Sequence, residues 1–511
     1  MKNKIILLVA SVLFLTACSS RKETVDKPNI VLFLVDDMGW QDTSVPFWDR
    51  KTPFNNRYHT PNMERLAKQG MKFTQAYATP VCSPTRISLI TGMNAARHRV
   101  TNWTLEKNAS NDAKDNELQF PQWNVNGISP VQGIENTIYA TPLPEILKRR
   151  GYSTIHVGKA HFGAMGTPGE DPENLGFDIN IAGHAAGAPK SYLGSENFGN
   201  DKSNKEIWAV PGLNKYYGKD IFLTEALTEE AIKAVDKSIK SKNPFFLYMS
   251  HYAVHTPIYG DKRFLQKYLD ADLDQTEAKY ASMVEGVDKS LGDIMDYLDE
   301  KNIADNTIIL FMSDNGGLSA HARGGEPHTH NKPLASGKGS FYEGGIREPM
   351  IVKWSKKVQP ATSTDSYVII EDFFPTILEI AGVKSFKTVQ HIDGQSFLPI
   401  LNSQPKKNKQ SRPLFWHYPN KWGAHGPGIG TGSAVRLGDW KLIYFHKTRT
   451  LELYNIKEDI QESDNLATTR KGKLEELATV LTDYLKSIDA QMPLDKFTRK
   501  QVPYPNEIIV N

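Results

Sequence analysis

The segment NIVLFLV, residues 29–35, is apolar from its second residue onward and runs straight into two adjacent acids, Asp36 and Asp37. A strand with one wet face alternates apolar and polar residues. A continuous run is buried on both faces, as inside a parallel sheet covered by helices. Similar runs recur at 153–157, 245–249, 307–312 and 350–354, and helical patterns lie between them at 143–150, 222–240, 277–301 and 370–381. This alternation predicts an α/β fold, a large mostly parallel sheet sandwiched by helices.

The chain's 511 residues exceed what one compact core holds, so two domains are expected. Residues 401–413 are polar and basic and resemble a linker. Beyond them, 435–445 and 451–456 read as short strands with an intervening turn, followed by a helix over 473–488. We therefore expect a domain over 29–400 carrying the chemistry and a smaller α+β domain over 401–511 that completes the substrate pocket. Long polar stretches at 101–140 and 165–220 read as surface loops, and loops of that length usually carry function. Lys plus Arg number 61 against 58 for Asp plus Glu, a net charge of +3 with no basic stripe, which excludes nucleic acid as a partner.

Lys2 and Lys4 precede an apolar stretch over 5–14, too short for a bilayer span of roughly 20 residues, so the segment reads as an export signal. It runs into Leu15-Thr16-Ala17-Cys18, which resembles the lipobox of bacterial lipoproteins. The resemblance implies removal of residues 1–17, acylation of Cys18 and a tether over 18–28. The product would be an exported protein, periplasm-facing or at the cell surface, touching the membrane only through its lipid. Cys82, the other cysteine, then has no disulfide partner.

Adjacent carboxylates at the C-terminal edge of a strand repel, and a cation is the usual reason to keep them together there. The construction recurs where 307–312 ends in Ser313-Asp314-Asn315-Gly316-Gly317. Asp36, Asp37, Asp314 and Asn315 offer oxygens only, a donor set for calcium, ahead of magnesium, rather than zinc. Pro84 suits a first helical turn and leaves Cys82 at the helix mouth, where backbone N–H groups favour anions. Arg86 adds a fixed positive fork one turn along.

Cys82-Ser83-Pro84-Thr85-Arg86 with the tail Leu89-Ile90-Thr91-Gly92 is similar to the signature of type I sulfatases, with Thr85 where that family often has Ser. Other segments match in family order. They are Gly158-Lys159-Ala160-His161-Phe162-Gly163 (Ala160 replacing a more usual Trp), the stretch from Ser250 to Pro257 containing His255, and the block from Asn331 through Lys338 to Arg347. Val435 to Leu442 and Glu452 to Asn455 match the family's C-terminal part, so the likeness covers residues 29 to about 467. It implies the alkaline phosphatase superfamily fold and oxidation of Cys82 to formylglycine by a maturation enzyme. It also implies sulfate ester hydrolysis by the hydrated aldehyde, one hydroxyl attacking sulfur and the other expelling sulfate. Lys159 and Lys338 are implied as clamps on sulfate oxygens, Asp314 as the first proton acceptor, His255 as donor to the leaving oxygen and His161 as assistant in the elimination.

A phosphatase or phosphodiesterase of the same superfamily is the first alternative, although its monoesterases typically use Ser or Thr with paired zinc. A catalytically dead, glycan-binding lipoprotein is the second, but all ten expected polar positions are retained. For the substrate we expect a sulfated saccharide taken at a chain end, a galactose or N-acetylgalactosamine sulfate. Trp103, His184, His417 and the stretch from Trp416 to Trp422 are the expected sugar contacts. His321, His328 and His330 read as loop residues rather than a zinc site, and Arg347 as a structural ion-pair member.

Overall fold

The computed structural model describes residues 27–201, 206–320, 322–402 and 412–509. Cys18, the leader, most of the tether, His321 and most of the 401–413 linker lie outside these described residues. The apolar run forms β1 (Asn29–Val35), buried along its whole length. Its side chains alternate between two cores. Val31, Phe33 and Val35 pack with residues of α1 (Leu223–Lys240) and α2 (Gln275–Glu300), while Ile30, Leu32 and Leu34 pack with α3 (Cys82–Thr91), α4 (Leu143–Arg149) and α5 (Phe373–Ile380). Helices therefore cover both faces, the condition that lets a strand be apolar throughout.

The other anticipated strands are present as β3 (Ser153–Gly158), β5 (Phe245–Ser250), β6 (Thr307–Ser313) and β7 (Arg347–Trp354). With β2 (Met71–Tyr77), β4 (Ile179–Ile181), β8 (Thr362–Thr364) and β9 (Val368–Ile369) they make a nine-stranded sheet. Its order is β8-β2-β7-β6-β1-β5-β3-β4, with β9 against β2. All pairings are parallel except those of β7, which runs antiparallel to β2 and β6. The sequence reading missed β2 because Lys72, Thr74 and Gln75 break its apolar run.

Register builds the site. Val35 pairs with Ser313, and Leu34 and Gly158 both pair with Ser250. The residues that follow, Asp36 and Asp37, Asp314 and Asn315, Lys159 to His161 and His251 to His255, thus emerge along one C-terminal sheet edge, where ligands bind in open α/β sheets.

A second, antiparallel sheet comprises β10 (Leu414–Tyr418), β11 (Gly432–Leu437), β12 (Trp440–Phe445) and β13 (Thr450–Asn455). Gly438, at φ +61°, turns the expected stretch 435–445 into a hairpin, and β10 was not anticipated. α6 (Lys471–Ser487) lays Leu474, Leu477, Ala478, Leu481 and Leu485 against Val435, Leu442 and Leu453. That spacing is the apolar stripe of an amphipathic helix. The two sheets are joined through a buried ion cluster. Lys441 Nζ lies 2.9 Å from both Glu343 Oε1 and Glu462 Oε1, and the Tyr77 hydroxyl donates to Glu343 at 2.7 Å. No described helix is long and apolar enough to cross a membrane.

Candidate active site

Asp36, Asp37 and Asp314 are wholly buried and bring carboxylate oxygens within 4.8 Å of one another, the one such acidic group among the described residues. Asp37 takes a left-handed backbone, φ +59°, and its N–H donates to Asp314 at 3.2 Å. The Asn315 amide N–H donates to Asp37 Oδ1 at 2.8 Å. Asp36 Oδ1, Asp37 Oδ2 and Asn315 Oδ1 are buried without a hydrogen-bond partner, which is costly unless a cation takes them. The residues present therefore fit a hard divalent ion.

Three cations face the three acids. Lys159 Nζ lies 2.6 Å from Asp36, Lys338 Nζ 2.6 Å from Asp37, and Arg86 Nη2 2.7 Å from Asp314. Three against three is neutral, so a dication would leave a surplus of positive charge for an anionic ester. Burial pulls Lys338 down but Asp37 outweighs it, so the ammonium is held above its usual range. Burial, reinforced by Asp314, pushes the Asp36 carboxyl well up. Arg86 also donates to Ser250 Oγ at 2.6 Å and to the Lys159 carbonyl at 3.0 Å, and its guanidinium is wholly buried, with Nη2 making the ion pair to Asp314 but no hydrogen bond.

Cys82 is the first residue of α3 and is buried, and Pro84 sits in the first turn as expected. Thr85 replaces a hydroxyl with a hydroxyl: its Oγ1 accepts the Thr79 N–H at 3.0 Å and pins the loop before the helix. His161 Nδ1 lies 3.4 Å from Cys82 Sγ. His161 Nε2–H donates to the Thr104 carbonyl at 2.8 Å, which fixes the tautomer and leaves Nδ1 as the acceptor. Burial, then Lys159 and Arg86, hold this imidazole well below its usual range. His161 is itself left-handed at φ +56°, and Gly187 packs over its ring so closely that a Cβ there would lie 2.4 Å from Cε1. Burial also pushes the Cys82 thiol up, so an unmodified Cys82 is a protonated, weak nucleophile. His255 Nδ1–H donates to the Thr256 carbonyl at 2.8 Å and Nε2 lies 3.7 Å from Asp37. Burial, with Lys338 close by, pushes His255 down to about 3.

A cavity of about 570 Å³ has Asp37, Cys82, His161, His255 and Lys338 in its lining. Its remaining wall includes Trp103 and Trp422, the end of the anticipated aromatic stretch. His184 and His417 are not brought there. His184 contributes its carbonyl to the His161 N–H at 3.2 Å, with its ring beside Tyr252. His417 lies on β10 between Trp416 and Tyr418. Because strand side chains alternate, and Trp416 donates to the Ala78 carbonyl at 2.8 Å, His417 faces the other way. Both its ring nitrogens are engaged, by Ser433 at 2.8 Å and the Gln491 carbonyl at 2.9 Å. The sequence reading missed Lys190, Trp208 and Tyr259 in the wall. Trp208 carried the same signal as Trp103, an aromatic in a polar loop, but no adjoining motif. His330 is spent on Ser319 and the Gly324 carbonyl, and Arg347 pairs with Glu343 at 3.2 Å as a structural residue.

The sulfatase family model matches residues 28–383, and the model described as N-sulphoglucosamine sulphohydrolase, C-terminal, matches 337–491. A "Sulfatase" of Formosa agariphila is 29% identical, over 96% of this chain and 95% of its own. The N-acetylgalactosamine-6-sulfatase of Mus musculus is 31% identical, over 90% and 80%. The crystal structure of Ps i-CgsB, solved also in complex with k-i-k-neocarrahexaose, superposes with a TM-score of 0.70 at 29% identity, covering 91% of this chain and 94% of that one. With that match over most of its length, the chain belongs to the sulfatase family and is a sulfuric ester hydrolase.

Proposed function

We propose that this protein removes sulfate from the end of a sulfated saccharide, a galactose or N-acetylgalactosamine sulfate, with Cys82 acting as formylglycine and one calcium ion held by Asp36, Asp37, Asp314 and Asn315. The observation that carries this reading is the convergence of a buried Cys82 that forms no disulfide among the described residues, His161 at 3.4 Å from it, and Asp37 with Lys338 on one cavity. Oxidised by a maturation enzyme and hydrated, residue 82 supplies a nucleophilic hydroxyl and a second hydroxyl through which sulfate is released; the ion supplies positive charge against the sulfate oxygens. Lys159 and Lys338, anchored on Asp36 and Asp37, present fixed ammonium groups to the same oxygens. Arg86 holds Asp314 in place. His161, with Nδ1 free to accept, suits removal of the proton from residue 82 during sulfate release. His255 is neutral here, and the incoming ester's negative charge would raise it toward the proton-donor role at the leaving oxygen.

The saccharide is supported by the names of relatives, N-acetylgalactosamine-6-sulfatases among them, by the oligosaccharide complex of Ps i-CgsB, and by the tryptophans of the cavity wall. Export and lipidation at Cys18 remain part of the same proposal. The test joins two measurements on active protein: peptide mass spectrometry at residue 82, and sulfate release from a panel of sulfated sugars. We expect oxygen in place of sulfur at residue 82 and turnover of at least one sugar. Full activity with an intact thiol would refute the formylglycine reading, and two bound zinc ions with phosphate ester turnover would favour the phosphatase alternative.

A further inference from the structure

Of the charged side chains lining the cavity, Asp37 and Lys338 pair at 2.6 Å and belong to the ion and sulfate site proposed above. Lys190 differs. Its side chain is about half exposed, 52%, and its ion-pair contact is Glu206 at a loose 3.8 Å. A pair that long and that wet contributes little, so most of the Lys190 charge is available to a ligand. Its place is nonetheless fixed. The Lys190 N–H donates to the Trp208 carbonyl at 2.7 Å, and Gly199 crosses its stem at a position where a Cβ would lie 2.3 Å from Lys190 Cβ. Trp208 and Trp103 stand with ring centroids 6.3 Å apart, tilted by 42°, next to this lysine in the same wall. A cation beside two aromatic faces, in the same cavity as Cys82, matches a sugar ring that carries a negative group of its own.

We propose that Lys190 forms a subsite for a second anion, a carboxylate or a further sulfate ester, on the saccharide that bears the scissile sulfate, with the sugar face lying against Trp103 and Trp208. This rests on the sulfated-saccharide reading above and narrows it to multiply anionic glycans. One positive charge at a half-exposed wall is worth up to about fivefold in affinity.

The test compares kcat/KM for three probes bearing the same scissile sulfated sugar: one with a neutral neighbour, one with a neighbouring uronate, and one with a neighbouring sulfate. Wild type should prefer the anionic probes, and whichever of the two it prefers identifies the second anion. Lys190→Gln should lower the anionic-to-neutral ratio through KM, by up to about fivefold. Lys190→Arg should keep the ratio, and added salt should reduce it in wild type. A ratio unchanged in Lys190→Gln, or an equal loss on all three probes, would overturn the subsite. Wild-type turnover without preference would overturn the subsite and leave the sulfatase reading standing. Turnover of none of the saccharides would remove the reading on which it rests.

Discussion

Replacing Lys441 with Met should separate the two sheets energetically. Lys441 is wholly buried and lies 2.9 Å from both Glu343 and Glu462. Glu343 keeps Arg347 at 3.2 Å and the Tyr77 hydroxyl at 2.7 Å, whereas Glu462 keeps, among the described residues, only the Glu343 N–H at 2.6 Å. The substitution therefore strands one buried carboxylate, and breaking a buried pair in this way costs about 3–5 kcal/mol. Burial already holds Glu462 above the usual carboxylate range, and losing Lys441 raises it further. A folded-state pKa above the unfolded one means that stability is present at low pH and lost as pH rises through the folded value. The variant's deficit should thus be larger at pH 8 than at pH 5.5. Denaturant midpoints followed by tryptophan fluorescence at both pH values would measure it, and Lys441→Met with Glu462→Gln should recover part of the loss. Because Glu343 lies five residues beyond Lys338, kcat/KM should fall as well. A loss below about 1 kcal/mol at pH 8, or one independent of pH, would refute this account of how the sheets are joined.

Asp314→Asn takes away the anion that Arg86 grips at 2.7 Å, so calorimetry should record weaker calcium binding, and sulfate release should drop about 100-fold or more. His417→Ala should cost about 1–3 kcal/mol in stability, chiefly from the unpaired Gln491 carbonyl, since the Ser433 hydroxyl keeps His446 Nε2 at 2.9 Å, while the ratio of sugar to aryl sulfate turnover stays where it was. Burial, aggravated by Asp372, pushes Glu371 up to about 8 from an unfolded value near 4.5. Stability from this group is complete below the lower value and falls as pH rises toward 8, and Glu371→Gln should flatten the unfolding midpoint between pH 5 and 8.

The central strands and the residues at their ends were legible because burial on both faces writes itself into a run of apolar residues, and the acids ending β1 and β6 stand out against it. The order of motifs around Cys82, Lys159, His255 and Lys338 likewise needs only the chain. β2 and β10 were not legible: the one is interrupted by Lys72, Thr74 and Gln75, the other adjoins a polar linker, and pairing rather than local composition makes them strands. Nor could the chain show that Lys159 and Lys338 rest on Asp36 and Asp37 at 2.6 Å, since those contacts span 123 and 301 residues and exist only once register aligns the strand ends. The aromatic loops could be named as a pocket from sequence, but not sorted. Trp422, in the loop after β10, and Trp208, in the long loop before α1, reach the cavity, while His417 is turned by the strand's alternation toward Ser433 and the Gln491 carbonyl, partners that only the folded chain brings beside it.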